Sequence, residues 1–183
     1  QASSACEVLY GTMDADKISR NVAECIYTGI IHDTGVFKYS CTSKKTMEIA
    51  GEMMEKGIDY SDIIDNTFYK KTYVQNQILG RALLESVLFY DGKCIFTTVT
   101  IDEMEFYGVT GRELGGIVEQ LRLTDGVEVA IFLYQTGEEE YKVSLRSKKK
   151  IDVAAIATQF GGGGHVRAAG YTCLLYTSPS PRD

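Results

Sequence analysis

The 183 residues carry 19 Lys and Arg against 25 Asp and Glu, a formal net charge of −6, with 44% hydrophobic and 24% charged residues. This is the composition of an ordinary globular protein of one large domain or two small ones. The acidic balance argues against a non-specific binder of long nucleic acid, and no apolar stretch approaches the roughly 20 residues of a membrane span. Five scattered cysteines, odd in number and without a Cys-x-x-Cys pair, read as reduced thiols of a cytoplasmic protein rather than a disulfide frame or a zinc site.

The chain opens on Gln1, and Ser4 with Glu7 fits a capping box at the start of a helix, so a preceding segment is expected. Residues 4–31 read as largely helical, with Asp14 or Asp16 capping a helix that buries Ile18, Val22, Cys25 and Ile26. This run breaks at Asp33-Thr34-Gly35. A second helix is expected from about Ser43 to Lys56, with Met47, Ala50 and Met54 on one face and Gly57 as its stop. A short helix near Ser61–Phe68 and a longer one over Tyr73–Phe89 follow, the latter ending at the turn signal Asp91-Gly92.

Beyond residue 90 the pattern becomes α/β. Cys94–Thr100 reads as a strand and Arg112–Leu123 as an amphipathic helix. Val127–Tyr134 is apolar on both faces, hence a central strand. Tyr141–Leu145 alternates, so Lys142, Ser144 and Arg146 share one face and Tyr141, Val143 and Leu145 the other. Val153–Phe160 reads as a helix capped by Asp152, with Val153, Ile156, Ala157 and Phe160 inward, and Ala168–Cys173 as a last strand. Residues 174–183 hold both prolines and no period; they read as a foreign or disordered tail. The domains are therefore 1–90, helical, and 91–173, α/β.

The densest signal is Phe160-Gly161-Gly162-Gly163-Gly164-His165-Val166-Arg167. Four glycines weaken any helix or strand interior, which suits a flexible linker or a loop whose backbone approaches a ligand. The imidazole and guanidinium that follow suit an anion, a nucleotide phosphate first. The segment is basic: Lys142, Arg146, Lys148, Lys149, Lys150 and Arg167 accompany one acid, Asp152. Lys148–Lys150 also read as a solvated turn, and Arg146 as either a surface arginine or a planar fork for phosphate. Upstream, Asp33 before a glycine turn is either a capping residue or a metal ligand. His32 reads as structural, since adjacent helix positions diverge by about 100°. Asp14 and Asp16 read as acids of a helix N-terminus, and Glu138–Glu140 as a solvated turn.

These motifs resemble a known family. Ser144-Leu-Arg-Ser147, Ile156-Ala157, Phe160 through His165, and Ala168-Ala169-Gly170 are similar to the DHHA1 domain. Tyr27-Thr28-Gly29-Ile30 with Asp33-Thr34-Gly35-Val36-Phe37 resembles the last motif of the DHH phosphoesterase domain. In this order they resemble the bacterial bifunctional oligoribonucleases and phosphoadenosine-phosphate (PAP) phosphatases. The resemblance implies a helical remnant of the DHH domain followed by an α/β DHHA1 lobe with a small mixed sheet. It implies a cytoplasmic hydrolase, an exonuclease on very short RNA and a phosphatase of PAP. A cyclic-dinucleotide phosphodiesterase and a non-catalytic DHHA1 nucleotide-binding module are the alternatives.

By resemblance, Asp33 is a catalytic ligand of a manganese pair about 3.5–4 Å apart, which activates a water and stabilises the departing oxygen. Arg146 and Ser147 belong to the substrate lobe, and Gly162, Gly163, Gly164 and His165 to the loop that holds substrate phosphate. Partners are short RNA oligonucleotides or nucleotide phosphates, with no membrane and with a homodimer left open. The family's Asp-x-Asp and Asp-His-His motifs do not occur: the two histidines are His32 and His165. The expectation is a fragment, inactive alone, whose missing metal motifs precede Gln1.

Overall fold

A computed structural model describes residues 2–174. They divide into two compact units, one ending at Lys71 and one beginning at Thr72. The expected tail lies outside the described residues, except that Leu174 completes the last strand and pairs with Glu140.

The first unit is helical. Helix α1 (Ala5–Tyr10) is capped by Ser4, whose hydroxyl accepts from the Glu7 N–H. Asp14 caps only a short 3-10 turn (Ala15–Lys17), while Ser19 caps α2 (Arg20–Thr34). Helix α3 (Lys44–Glu55) has a reciprocal box between Ser43 and Thr46. Helix α4 (Tyr60–Ile63) runs on as a π-helical turn over Ile64–Tyr69. The core combines Ile26, Tyr27, Ile30 and Ile31 of α2 with Ile49, Ala50 and Met53 of α3. Met47, expected inward, is exposed: α3 turns the Thr46, Ile49, Ala50 and Met53 stripe to the core and leaves Met47 beside it. Gly29 on α2 lets α1 approach, because a Cβ there would collide with the Cys6 thiol.

The second unit is a six-stranded mixed sheet: β1 (Val87–Phe89), β2 (Cys94–Val99), β3 (Val129–Gln135), β4 (Glu140–Ser147), β5 (Gly163–His165) and β6 (Ala168–Leu174). The order is β1-β2-β3-β4-β6-β5, with β2 and β3 parallel and every other pair antiparallel. Helix α5 (Tyr73–Leu84) belongs to this unit, since Ile78 and Ala82 pack into its core. The compact division therefore falls well before residue 90. The helix expected over Tyr73–Phe89 stops at Glu85, and Val87–Phe89 pairs with β2 instead. β-branched and aromatic side chains there favour the sheet, and Phe89 meets Phe96 across the pair.

Between the parallel strands lie α6 (Ile101–Tyr107) and α7 (Ile117–Arg122). Helix α7 is shorter than the expected Arg112–Leu123 because Gly116, at φ 92°, sets its start. Strand alternation sends Ala130 and Phe132 to the face covered by α5, α6 and α7, and Val143, Leu145 and Ala169 to the face covered by α8 (Val153–Gln159). Phe160, expected inward, is 56% exposed and stacks flat on Tyr171 at 4.8 Å.

Candidate functional site

The register brings the second unit's motif residues into rows. Arg146 pairs with Ala168, and Ala168 with His165; Ser144 pairs with Gly170, and Gly170 with Gly163. Directly paired residues project to the same face. Arg146, Ser144, His165 and the bare Gly163 position thus share the face opposite α8. His165 is exposed and its ring has no partner among the described residues.

The glycine run is not a loop throughout. Gly161, at φ +74°, ends α8; Gly162 donates to the Ala157 carbonyl; Gly163–His165 then form edge strand β5, and Val166-Arg167 turn the chain into β6. A Cβ on Gly162 would strike the Gly170 carbonyl oxygen and the Tyr171 backbone. Gly164 combines φ +146° with a Cβ position 2.5 Å from the Ala168 carbonyl oxygen. Gly163 has open space and no left-handed backbone. Packing explains Gly162 and Gly164; the fold places no such demand on Gly163, which leaves a flat, open spot beside His165.

Arg146 is held from α7. Its Nε donates to Glu119 at 2.6 Å and its Nη1 to the Leu145 carbonyl at 3.0 Å, while Arg122 holds the other Glu119 oxygen at 2.9 and 3.0 Å. The Nη2 group of Arg146 keeps its donors uncommitted among the described residues. Ser147 points the other way. It is 2% exposed, and its hydroxyl donates to the Ile151 carbonyl at 2.7 Å. Arg167, read from sequence as an anion ligand, also serves Ile151: its Nη1 donates to the same carbonyl at 2.7 Å. Both side chains fix the approach to α8 rather than present themselves to a ligand. Lys149 and Lys150 form a turn whose N–H groups, with that of Ile151, converge on the Glu128 carboxylate. Burial pushes the Glu128 carboxyl up, but these backbone donors outweigh it and hold it below the usual range.

In the first unit, Asp33 stands exposed at the end of α2, and its carboxylate has no hydrogen-bond or ion-pair partner among the described residues, though its charge, after burial, helps push the Cys6 thiol up. The turn behind it is strained: Gly35, Val36 and Phe37 all have positive φ (58°, 54° and 64°). For Val and Phe this costs about 1–3 kcal/mol each. Thr34, fully buried, pins the turn: its hydroxyl donates to Ile30 at 2.6 Å and accepts from the Phe37 N–H at 3.0 Å. Tyr27 meets Phe37 edge-on, and a Cβ on Gly35 would lie 2.5 Å from the Tyr39 ring. His32 is structural, bonded to Thr67 at 3.1 Å and edge-on to Phe68. Among the described residues no group of three or more His, Cys, Asp or Glu is arranged to hold a metal ion. Asp33 by itself does not fit a two-metal centre, which needs several such ligands.

Residues 91–173 match the family described as the DHHA1 domain. The chain is 28% identical over 174 residues to the bifunctional oligoribonuclease and PAP phosphatase NrnA of Bacillus subtilis, covering 92% of this chain and 54% of that protein. The Thermus thermophilus protein of the same name is 32% identical over 152 residues, covering 82% and 44%. The chain is thus similar over most of its length to DHH/DHHA1 proteins, and residues 91–173 are its DHHA1 domain. An exopolyphosphatase-related protein from Bacteroides fragilis shares its fold with a TM-score of 0.85 at 27% identity, over 97% of this chain and 53% of that one. The chain thus spans about half the length of the curated relatives it matches.

The DHHA1 match begins at Asp91, beyond helix α5, so the second compact unit is the DHHA1 domain with α5 and β1 added at its front. Sequence reasoning missed Glu119. Its pairing with Arg122 is legible as a helical i,i+3 pair, but its reach to Arg146 spans 27 residues and depends on the fold.

Proposed function

We propose that this chain carries the substrate-gripping part of a metal-dependent phosphoesterase for short oligoribonucleotides and PAP-like nucleotides. The observation that carries the reading is the open face on which Arg146 and His165 share one row and Gly163 stands in the next. It combines a guanidinium with an uncommitted Nη2, an unpartnered imidazole and a strand position without a side chain. A phosphate oxygen needs donors, positive charge and close backbone approach, and these two rows offer all three. Glu119 orients Arg146 through Nε and leaves the outer edge of the guanidinium for the ligand. Ser147 and Arg167 hold the neighbouring backbone through Ile151.

Asp33 is proposed as one ligand of a manganese pair whose remaining ligands this sequence does not contain. Such a pair, when bound, supplies an activated water and charge stabilisation. The strained turn after Asp33 fixes the carboxylate's place at the helix end. An acidic chain suits this activity, because gripping one or two phosphates requires no extended basic track.

The test is equilibrium titration of the chain with AMP and with PAP. Arg146→Ala and His165→Ala are each expected to weaken binding about 10- to 100-fold, the range for a hydrogen bond to a charged group. Unchanged affinity in both variants would remove the proposed site.

A further inference from the structure

The open face continues past the Arg146 row. After Arg146–Ala168–His165 comes Ser144–Gly170–Gly163, and then Lys142–Thr172. Lys142 and Thr172 are exposed, and the side chains of Lys142, Ser144 and Thr172 have no partner among the described residues. Their freedom contrasts with Lys148, which donates to the Thr124 carbonyl at 2.9 Å, and with Arg167 on Ile151. Arg146 lies four residue steps along the strand from Lys142, about 13–14 Å at 3.3–3.4 Å per residue. Strand side chains stand roughly perpendicular to the sheet, so the two cationic groups keep much of this spacing and offer separate contacts along the face. Between them lies a floor almost without side-chain bulk, made by Gly170, Gly163 and the Ser144 hydroxyl. Glu140 follows Lys142 on the same face, preceded in the chain by Glu138 and Glu139, so the strip turns from basic to acidic at that end.

We infer that Lys142 and the Thr172 hydroxyl form a second phosphate subsite, which takes an internal phosphodiester of a short oligonucleotide whose terminal phosphate sits at Arg146 and His165. The inference rests on the phosphate-grip reading of the Arg146 row and adds a length preference to it. A mononucleotide fills only the first subsite. A trinucleotide, with a phosphodiester one nucleotide beyond the first, reaches both, and the acidic end at Glu140 opposes a phosphate further along.

The experiment titrates the whole chain with AMP and with the 5′-phosphorylated trinucleotide pApApA, for the wild type, Lys142→Gln, Thr172→Val and Arg146→Ala. The wild type is expected to bind pApApA more tightly than AMP. Lys142→Gln should weaken pApApA about 3- to 10-fold, as for one partly solvated charged contact, and leave AMP within about twofold. Its salt dependence for pApApA should become shallower by about 0.7 in log–log slope, one counterion fewer. Thr172→Val should show the same selectivity with a smaller loss. Equal loss for both ligands, or no loss for pApApA, overturns the subsite. An Arg146→Ala protein that still binds AMP normally overturns the underlying grip instead, and a wild type that binds neither ligand overturns both. Lys142 is exposed and unpartnered, so a thermal midpoint matching the wild type certifies the fold of its variant.

Discussion

Gly162 and Gly163 are adjacent in the chain and lack a side chain for different reasons. Gly162 packs its α-carbon against the backbone of β6, where a methyl group has no room. Ala at Gly162 is expected to cost about 1–3 kcal/mol or more through overpacking against rigid backbone, and Ala at Gly164 a similar amount, with strain from its left-handed φ added. Ala at Gly163 meets open space and ordinary strand backbone, so the thermal midpoint should stay within a few degrees of the wild type. The same methyl group would stand on the open face between Ser144 and His165, where a phosphate is proposed to lie. Gly163→Ala should therefore keep its stability and lose AMP affinity. Melting curves and titrations on the three variants separate the roles, and a stable Gly163→Ala protein with wild-type affinity contradicts the site.

Strand β4 was legible because its alternation is strict and its two faces differ in chemistry, and α8 because Asp152 and the glycine run punctuate both ends. Helix α6 carried the same kind of signal, Thr100 with Glu103 as a capping box and Gly108 as a left-handed stop, but its two turns are too short for a convincing apolar period. Strands β1 and β5 were illegible for another reason. Three residues have no periodicity, and Gly163-Gly164-His165 forms a strand only because β6 offers it a partner. The link between α1 and α3 was equally hidden. Glu7 is buried, and its carboxylate accepts from the Ser3 N–H and hydroxyl and from the Thr46 hydroxyl at 2.6–3.0 Å. The Ser3 hydroxyl bond, with the backbone and Thr46 donors, overcomes burial and holds the Glu7 carboxyl below its ordinary range. A carboxyl lowered on folding stabilises the native state fully above its unfolded pKa, about 4.3, and loses that contribution as pH falls through the lower folded value. Urea midpoints taken from neutral pH down to about 3 should fall through this acid window. In Glu7→Gln the midpoint should start lower at neutral pH and fall less steeply; parallel profiles would mean that Glu7 is not the titrating tie.

On the scale of the molecule, the two units divide the labour by residue type. The first supplies Asp33, an exposed carboxylate ahead of a strained turn; the second supplies every group proposed to touch phosphate, Arg146, His165, Gly163, Lys142 and Thr172. An anion gripped by the second unit gains nothing from a carboxylate, which repels it, and Asp33 has no side-chain partner whose loss would loosen the fold. Asp33→Asn should therefore leave the thermal midpoint unchanged within the roughly 0.5 kcal/mol typical of surface substitutions. It should leave AMP affinity unchanged within about twofold in the absence of metal, because no hydrogen bond to the ligand is altered. A melting curve and a metal-free calorimetric titration with AMP read both outcomes. Metal-free affinity that drops in Asp33→Asn would show that binding is not confined to the DHHA1 side and would undo the division of roles. AMP affinity that responds to Arg146 and His165 but not to Asp33 would place recognition on one sheet face, independent of the chemistry that Asp33 is proposed to serve.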